Sequence, residues 1–351
     1  MHLGRRQLHP RRGVHSPRVQ MPQRRPGSVR RTSTIDSIRL DSILGDLTQI
    51  GRCRDIYTGS DGSTSVLGEA TIDIQLDYVN GFKLKEIRSS PLLTMLNALL
   101  GSGVTTGFRR AMVQLVPDEY DAATPLHLLL DDLPGAALVS GFAIGVAGAF
   151  RGLKPDPSKP RLQIEGLCAG FQAGGTIMQE VDDGNYAPVV TGPEAPPLTS
   201  VHDGEAWHKM RPLGAHDCRR ARLLDVFPGS SPDAPVHVEA YFRDSHMDTG
   251  GLETVIHEYS VTAVVDRREQ RVVSSSAVAH TLPWIECIEA VDSGQRLAGH
   301  RLGDLRTQVR EELVGTTTCT HLNDTLRSIQ DVGALLALLN SIAARTTDAN
   351  M

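Results

Sequence analysis

The sequence predicts an α+β fold made of tandem duplicated units, each a few antiparallel strands followed by about three helices, packed as a pseudo-twofold dimer within one chain. Three observations predict it. An offset of 189 residues lays residues 30–77 over 219–266 without a gap. Ten of the 48 positions are identical, among them Arg30/Arg219, Arg31/Arg220, Asp36/Asp225, Arg54/Arg243, Asp55/Asp244 and Glu69/Glu258. After the shared Glu, ATIDIQLDYV in one copy and YSVTAVVDRR in the other alternate polar and apolar residues, the period-two pattern of a strand with one buried face. Beyond a proline in each copy, Pro91 or Pro283, the pattern turns helical. Strands followed by helices place the helices on one face of a sheet.

Taken in order, residues 1–29 read as a disordered basic tail. Residues 1–31 hold nine of the 36 basic residues and no acidic one, with Pro10, Pro17, Pro22 and Pro26 and no apolar run. Neither a signal-peptide core nor a transit helix fits there, and the stretch ahead of Met21 reads equally well as a translated leader. Residues 30–153 form the first unit: a hairpin turn at Asn80-Gly81, a strand FKLKEIRSS, then helices in PLLTMLNALLG, GVTTGFRRAMVQLV and PLHLLLDDL. The apolar run AALVSGFAIGVAGAF has fifteen residues. A membrane span needs about 20, so it reads as a buried helix of a soluble protein. Residues 154–200 are a Pro-rich connector with a short strand pair around 162–178. Residues 201–345 form the second unit, with a turn at Arg267-Arg268-Glu269, a strand RVVSSSAVA and helices in WIECIEAVDSGQRLAG, LGDLRTQVREELVG and THLNDTLRSIQDVGALLALLNSI. A cleft between two such units is the default place for a small-molecule ligand.

Composition narrows the function. Apolar residues at 40% exclude a disordered chain. Aromatics at 4% are too few for a base-stacking surface. Outside residues 1–31 the chain has 27 basic residues against 41 acidic ones, so the folded body should repel polyphosphate, which argues against nucleic acid as its main ligand. Five widely spaced cysteines, an odd number, give no disulfide framework and point to a reducing cytoplasm.

Reactive residue types concentrate in the second unit. His257-Glu258-Tyr259 opens a strand, Cys287 follows Pro283 at a helix start, and Cys319-Thr320-His321 precedes the last helical run. The matching places in the first unit hold Gly68-Glu69-Ala70, no cysteine near Pro91, and Pro125-Leu126-His127. A helix N-terminus favours a thiolate, so Cys319 reads as a nucleophile or metal ligand and Cys287 as a second candidate; the alternative is a small buried hydrophobe at each. His257 and Glu258 alternate on a strand, so only one faces the helices. Arg219, Arg220 and Arg222, with His208 and Arg211, form a basic cluster suited to an anionic ligand group or to a solvated face. The Arg54-Asp55 and Arg243-Asp244 pairs point to opposite faces and suit a structural role across the interface of the two units. Dinucleotide, P-loop, serine-elbow and HExxH motifs are absent.

At CTHLNDTLRSIQ, with HEY upstream and LPWIEC between, the sequence resembles an uncharacterised bacterial domain-of-unknown-function family that carries a P…C segment followed by G-C-T-H-L. The resemblance covers mainly residues 219–339, and Thr318 stands where that glycine is expected. It implies a bacterial protein of catabolic surroundings. The order Glu258, Cys287, Leu297-x-Gly299, Cys319 is also similar to that of iron-sulfur cluster assembly scaffolds. The third scaffold cysteine, expected near Ile256, is missing, and a histidine in its place would favour a single zinc or iron.

The expectation is an enzyme of small-molecule catabolism, acting on an aromatic, steroid or acyl compound by lyase or hydrolase chemistry. His257, Glu258, Cys319 and His321 would be its acid, base or nucleophile, with Arg219 or Arg243 holding an anionic group. The alternatives are a non-catalytic metal-binding scaffold, with Cys287, Cys319 and His321 as tentative ligands to zinc or iron, and a partner-binding protein with a vestigial site.

Overall fold

The computed structural model describes residues 8–149, 153, 164–229, 231 and 234–349. Eight strands, β1 (Ser28–Ile38), β2 (Leu47–Thr58), β3 (Thr64–Asp77), β4 (Lys83–Ser90), β5 (Cys218–Phe227), β6 (Val236–Met247), β7 (Glu253–Asp266) and β8 (Arg271–Thr281), form one antiparallel sheet in the order β4-β3-β2-β1-β5-β6-β7-β8. The helices are α1 (Phe108–Leu115), α2 (Pro117–Asp121), α3 (Pro125–Val139), α4 (Gly141–Val146), α5 (Thr176–Asp182), α6 (Leu305–Glu312), α7 (Thr320–Ser328) and α8 (Val332–Ala349). The fold is α+β, as the alternation and the proline breaks predict.

Local chemistry explains the boundaries. At the β3–β4 turn, Asp77 accepts from the Asn80 amide, and Gly81 and Phe82 both take positive φ. Asp266 Oδ1 closes the β7–β8 turn by accepting from the backbone N–H groups of Arg268 and Glu269. Pro91 follows the last residue of β4 at once and Pro283 comes two residues after the end of β8, each where a further ladder donor would be missing. The stretches after them, Thr94–Leu99 and Ile285–Leu297, wind as 3-10 helices and not as the α-helices the pattern suggests.

The two strand sets join through β1 and β5, in a register that places Ser33 opposite Arg222. Two apolar cores lie under the helical face. One centres on Leu47, Ile72, Leu76 and the α3 leucines, the other on Phe242, Tyr259, Val261 and the α7–α8 leucines. A smaller cluster, in which Trp207 packs on Ala221, Leu223 and Tyr241, covers the opposite face. The run Pro125–Val146 has the length and apolarity to cross a membrane, but most of it is packed inside the protein as α3 and α4; this accounts for the apolar stretch noted in the sequence.

Two expectations are corrected. The described part of the basic tail, residues 8–29, is not a free arm. Its backbone pairs with the end of β8 and beyond, Ser16 N–H to His280 O and Leu282 N–H to Val14 O. Its arginines are held by internal acceptors: buried Arg12 by the carbonyls of Val190, Thr191 and Val255, and Arg18 by Glu239 and Ser260. The expected strand pair around 162–178 is a 3-10 turn at Ala169–Phe171 followed by α5. Glu286 sets the start of α5 by accepting from both N–H and Oγ1 of Thr176 at 2.8 Å. KPDPSKP lies outside the described residues.

Candidate active site

The sheet sorts the predicted residues by face. On β6 and β7, Phe242, Asp244, His257 and Tyr259 point toward the helices; Tyr241, Arg243 and Glu258 point away. A β-bulge opposite Asp244 and Ser245 leaves Ile256 unpaired. The extra residue turns Ile256 as well as His257 onto the helical side, where both line one cavity.

That cavity has a volume of about 540 Å³. Its walls come from α3 and α4 (Leu138, Phe142), the connector (Phe171, Val189) and the segment after β8 (Trp284), so they are mostly apolar. One end is polar, closed by His257, His321, Arg220, Asp324 and Arg109. The His257 and His321 rings stack with centroids 3.7 Å apart and planes 19° apart. His257 Nδ1 and His321 Nε2 each lie 3.8 Å from Asp244 Oδ2. The other nitrogen of His321 faces Cys319 Sγ at 3.8 Å and Thr320 Oγ1 at 3.5 Å. Cys319 occupies the N-cap position of α7, which is why it and His321 reach the same end of the cavity.

A buried ion-pair layer fixes this end. Arg220 donates to both oxygens of Asp244, at 2.9 and 3.1 Å, and to Asp324 at 2.9 Å. Arg109 and Arg327 also hold Asp324, Arg222 holds Asp132, and Arg327 holds Asp131. Burial alone would raise the Asp324 carboxyl, but Arg109, Arg327 and Arg220 outweigh it and bring it below the usual range. Burial, then Arg220, depresses His321 to about 3. Burial, then the neighbouring His321, takes His257 well below its ordinary value. Both imidazoles are neutral near pH 7.

Of the predicted residues, the structure brings together His257, Cys319, His321 and Cys287, all lining the cavity. Glu258, Arg219 and Arg243 do not join them. Arg243 donates to Glu258 at 2.8 Å and to the Pro196 carbonyl, and Tyr241 donates to the same carboxylate; all lie on the far face. Arg219 is bound to Asp36 on that face, at 2.6 and 2.8 Å. Both arginines lie on the face away from the cavity, and neither lines it. Arg220 and Arg109 line the cavity instead.

The thiolate expectation is also corrected. Burial, then the neighbouring Cys168, raises the Cys319 thiol to about 11 despite its helix-start position. Burial, then Cys319, raises Cys287, and burial raises Cys168. At an apolar, enclosed helix start, desolvation of the anion outweighs the few tenths to 1 kcal/mol that the helix end offers.

Sequence reasoning missed Asp244 as a site residue, together with Asp324 and Cys168, and named Arg220 only as one member of the basic cluster. Asp244 carried a signal, since it lies two residues from the buried Phe242 and thus on the same face. Cys168 carried none, because it sits in the connector.

Residues 218–334 match the family described as "Protein of unknown function (DUF2889)". The matched segment contains β5 to α7, and with them Arg220, Asp244, His257, Cys287, Cys319, His321 and Asp324. None of the curated proteins and none of the solved structures compared with the chain matches it.

Proposed function

We propose that the protein is an enzyme that binds a small, mostly apolar molecule, of acyl, aromatic or steroid type, and performs hydrolase- or lyase-type chemistry at the polar end of its cavity. One observation carries this reading: an apolar cavity of about 540 Å³ closes on two stacked imidazoles, a carboxylate and a guanidinium. That volume lies within the range of about 300–1,000 Å³ typical of small-molecule sites, and apolar walls with few convergent polar groups are their usual make-up. The apolar body of the ligand would lie against Phe142, Phe171 and Trp284, with its reactive end at His321 and His257 and any anionic oxygen near Arg109 and Arg220. Because Trp284 lines the cavity and Trp207 lies on the other face, ligand entry has an optical reporter. Titration with aryl and acyl carboxylates and thioesters should quench Trp284 emission saturably in the wild type and in Trp207→Phe, but not in Trp284→Phe. A flat response across the panel would overturn the reading.

We also propose that the two strand-and-helix units are copies about a pseudo-twofold axis passing near the Ser33–Arg222 pair, whose members are 189 residues apart. Equivalent ion pairs support this: Arg30–Asp225 with Arg219–Asp36, and Arg31–Asp55 with Arg220–Asp244. So do the bulges at Leu67 and Ile256, which fall at the same offset. In this reading the second copy keeps the site, and the first, with Gly68 in place of His257, supplies the α3–α4 wall. Five free thiols suit a reducing compartment, and we place the protein in the cytoplasm.

A further inference from the structure

We infer that Asp244, His257 and His321 form a binding site for one divalent first-row transition metal ion, zinc or iron(II), at the closed end of the cavity. The set shares His321 with the tentative ligands suggested by the sequence and replaces their two cysteines with Asp244 and His257. It rests on the reading above only for what the ion would do, not for its binding.

The ligand atoms of the three side chains all lie within 4.8 Å of one another. An ion with bonds of roughly 2.0–2.2 Å holds tetrahedral ligand atoms roughly 3.3 Å apart, so small rotations of the two rings close the set. Asp244 is fully buried and its position is fixed by Arg220, which uses one lone pair on each oxygen. Oδ2 retains a second lone pair on the side of the histidines. His257 is 9% exposed, and its Nδ1, aimed at Asp244, has no hydrogen-bond partner. A buried imidazole nitrogen without a partner calls for an explanation, and a role as a metal ligand beside a carboxylate supplies one. On His321, Nε2 faces the carboxylate while Nδ1 is steadied by Cys319 and Thr320, the outer contact that orients ligand histidines. Two imidazoles and one carboxylate with open positions toward a cavity make a donor set suited to zinc or iron(II).

The charges around the site fit an ion that keeps open positions. Arg109, Arg220, Arg222 and Arg327 interlock with Asp131, Asp132, Asp244 and Asp324, and their formal charges cancel. A divalent ion then keeps its own charge, which an anionic oxygen of a ligand in the cavity would balance.

The test uses the full-length chain, without a polyhistidine tag, stripped by chelator and titrated with Zn²⁺ and with Co²⁺. The expected result is one equivalent of Zn²⁺ per chain and a Co²⁺ spectrum with ligand-field bands but no intense thiolate charge-transfer band. Bound metal should fall to background in His257→Ala, His321→Ala and the near-isosteric Asp244→Asn, each checked for folding by circular dichroism, and persist in Cys319→Ser and Cys287→Ser. Background metal in the wild type, undiminished binding in folded His257→Ala, or a thiolate band lost in the cysteine variants would overturn the proposal. Metal binding without quenching by any organic ligand would support this site and reject the small-molecule reading.

Discussion

Gly135, on α3, sits against the ion-pair layer, and replacing it with alanine tests whether that layer is as rigid as the distances imply. A Cβ built there would lie 2.0 Å from Arg220 Nη1 and 2.9 Å from Asp324 Oδ2. A carbon needs roughly 3.5 Å from such atoms, so the guanidinium must retreat by more than 1 Å. Arg220 cannot do that while keeping its bonds to Asp244 and Asp324, each near 2.9 Å. Helix propensity alone predicts the opposite sign, since alanine is favoured over glycine in a helix interior by about 0.8–1.0 kcal/mol. Overpacking costs about 1–3 kcal/mol, and a broken buried ion pair about 3–5. Because the guanidinium must move, the broken pair less the propensity gain sets the expected net effect of Gly135→Ala, a loss of about 2–4 kcal/mol, read by chemical denaturation at pH 7. Arg220→Met should be costly alone, but in the double variant the two losses should not add, because one event, displacement of the guanidinium, underlies both. Stabilisation by Gly135→Ala of about 1 kcal/mol, or strict additivity with Arg220→Met, would refute the reasoning.

Acid should weaken the fold through two buried histidines that do not line the cavity. Burial, then Arg306, depresses His127 to about 4; burial, then Arg54, depresses His208 to about 3. In the unfolded chain both protonate near 6.5, so the unfolded state binds more protons below that pH. The stabilisation is complete above 6.5 and is lost as pH falls toward 4 for His127 and toward 3 for His208. At about 1.4 kcal/mol per pH unit, each should cost about 1.3 kcal/mol between pH 7 and 5.5. His127→Gln or His208→Gln should each remove that increment from the denaturation profile; a profile unchanged by both would contradict the burial argument. Cys319, with its thiol raised to about 11, should react slowly with iodoacetamide at pH 8 in the native protein and at ordinary rates in denaturant. Rapid native labelling at Cys319 would restore the thiolate reading.

Much of the fold is legible in the sequence because it depends on local periodicity. Alternation after Glu69 and Glu258, turn chemistry at Asn80-Gly81 and proline breaks at Pro91 and Pro283 each act within a few residues. The site is only half legible. His257, Cys319, His321 and Cys287 stand out by residue type, but which arginine serves them depends on the register of the sheet. Arg219 and Arg220 are neighbours in sequence and point to opposite faces, so the choice between them needs the β5–β6 pairing. The bulge at Ile256 and the enclosure of Cys319 arise from tertiary packing, and no short-range pattern encodes either. The basic tail misleads for a related reason. Its prolines and arginines look unfit for a core, yet the folded body offers carbonyls and Glu239, Glu258 and Glu286 as acceptors along its path.

The proposed chemistry takes place at the polar end of the cavity. Its most direct test is turnover of whichever compound quenches Trp284, compared among the wild type, His321→Ala and Glu258→Gln. His321→Ala should lower kcat by about 10²–10⁴-fold in a folded protein that still quenches, while Glu258→Gln, altered on the far face, should change kcat by less than about tenfold. Turnover unaffected by His321→Ala, or a loss confined to Glu258→Gln, would contradict it.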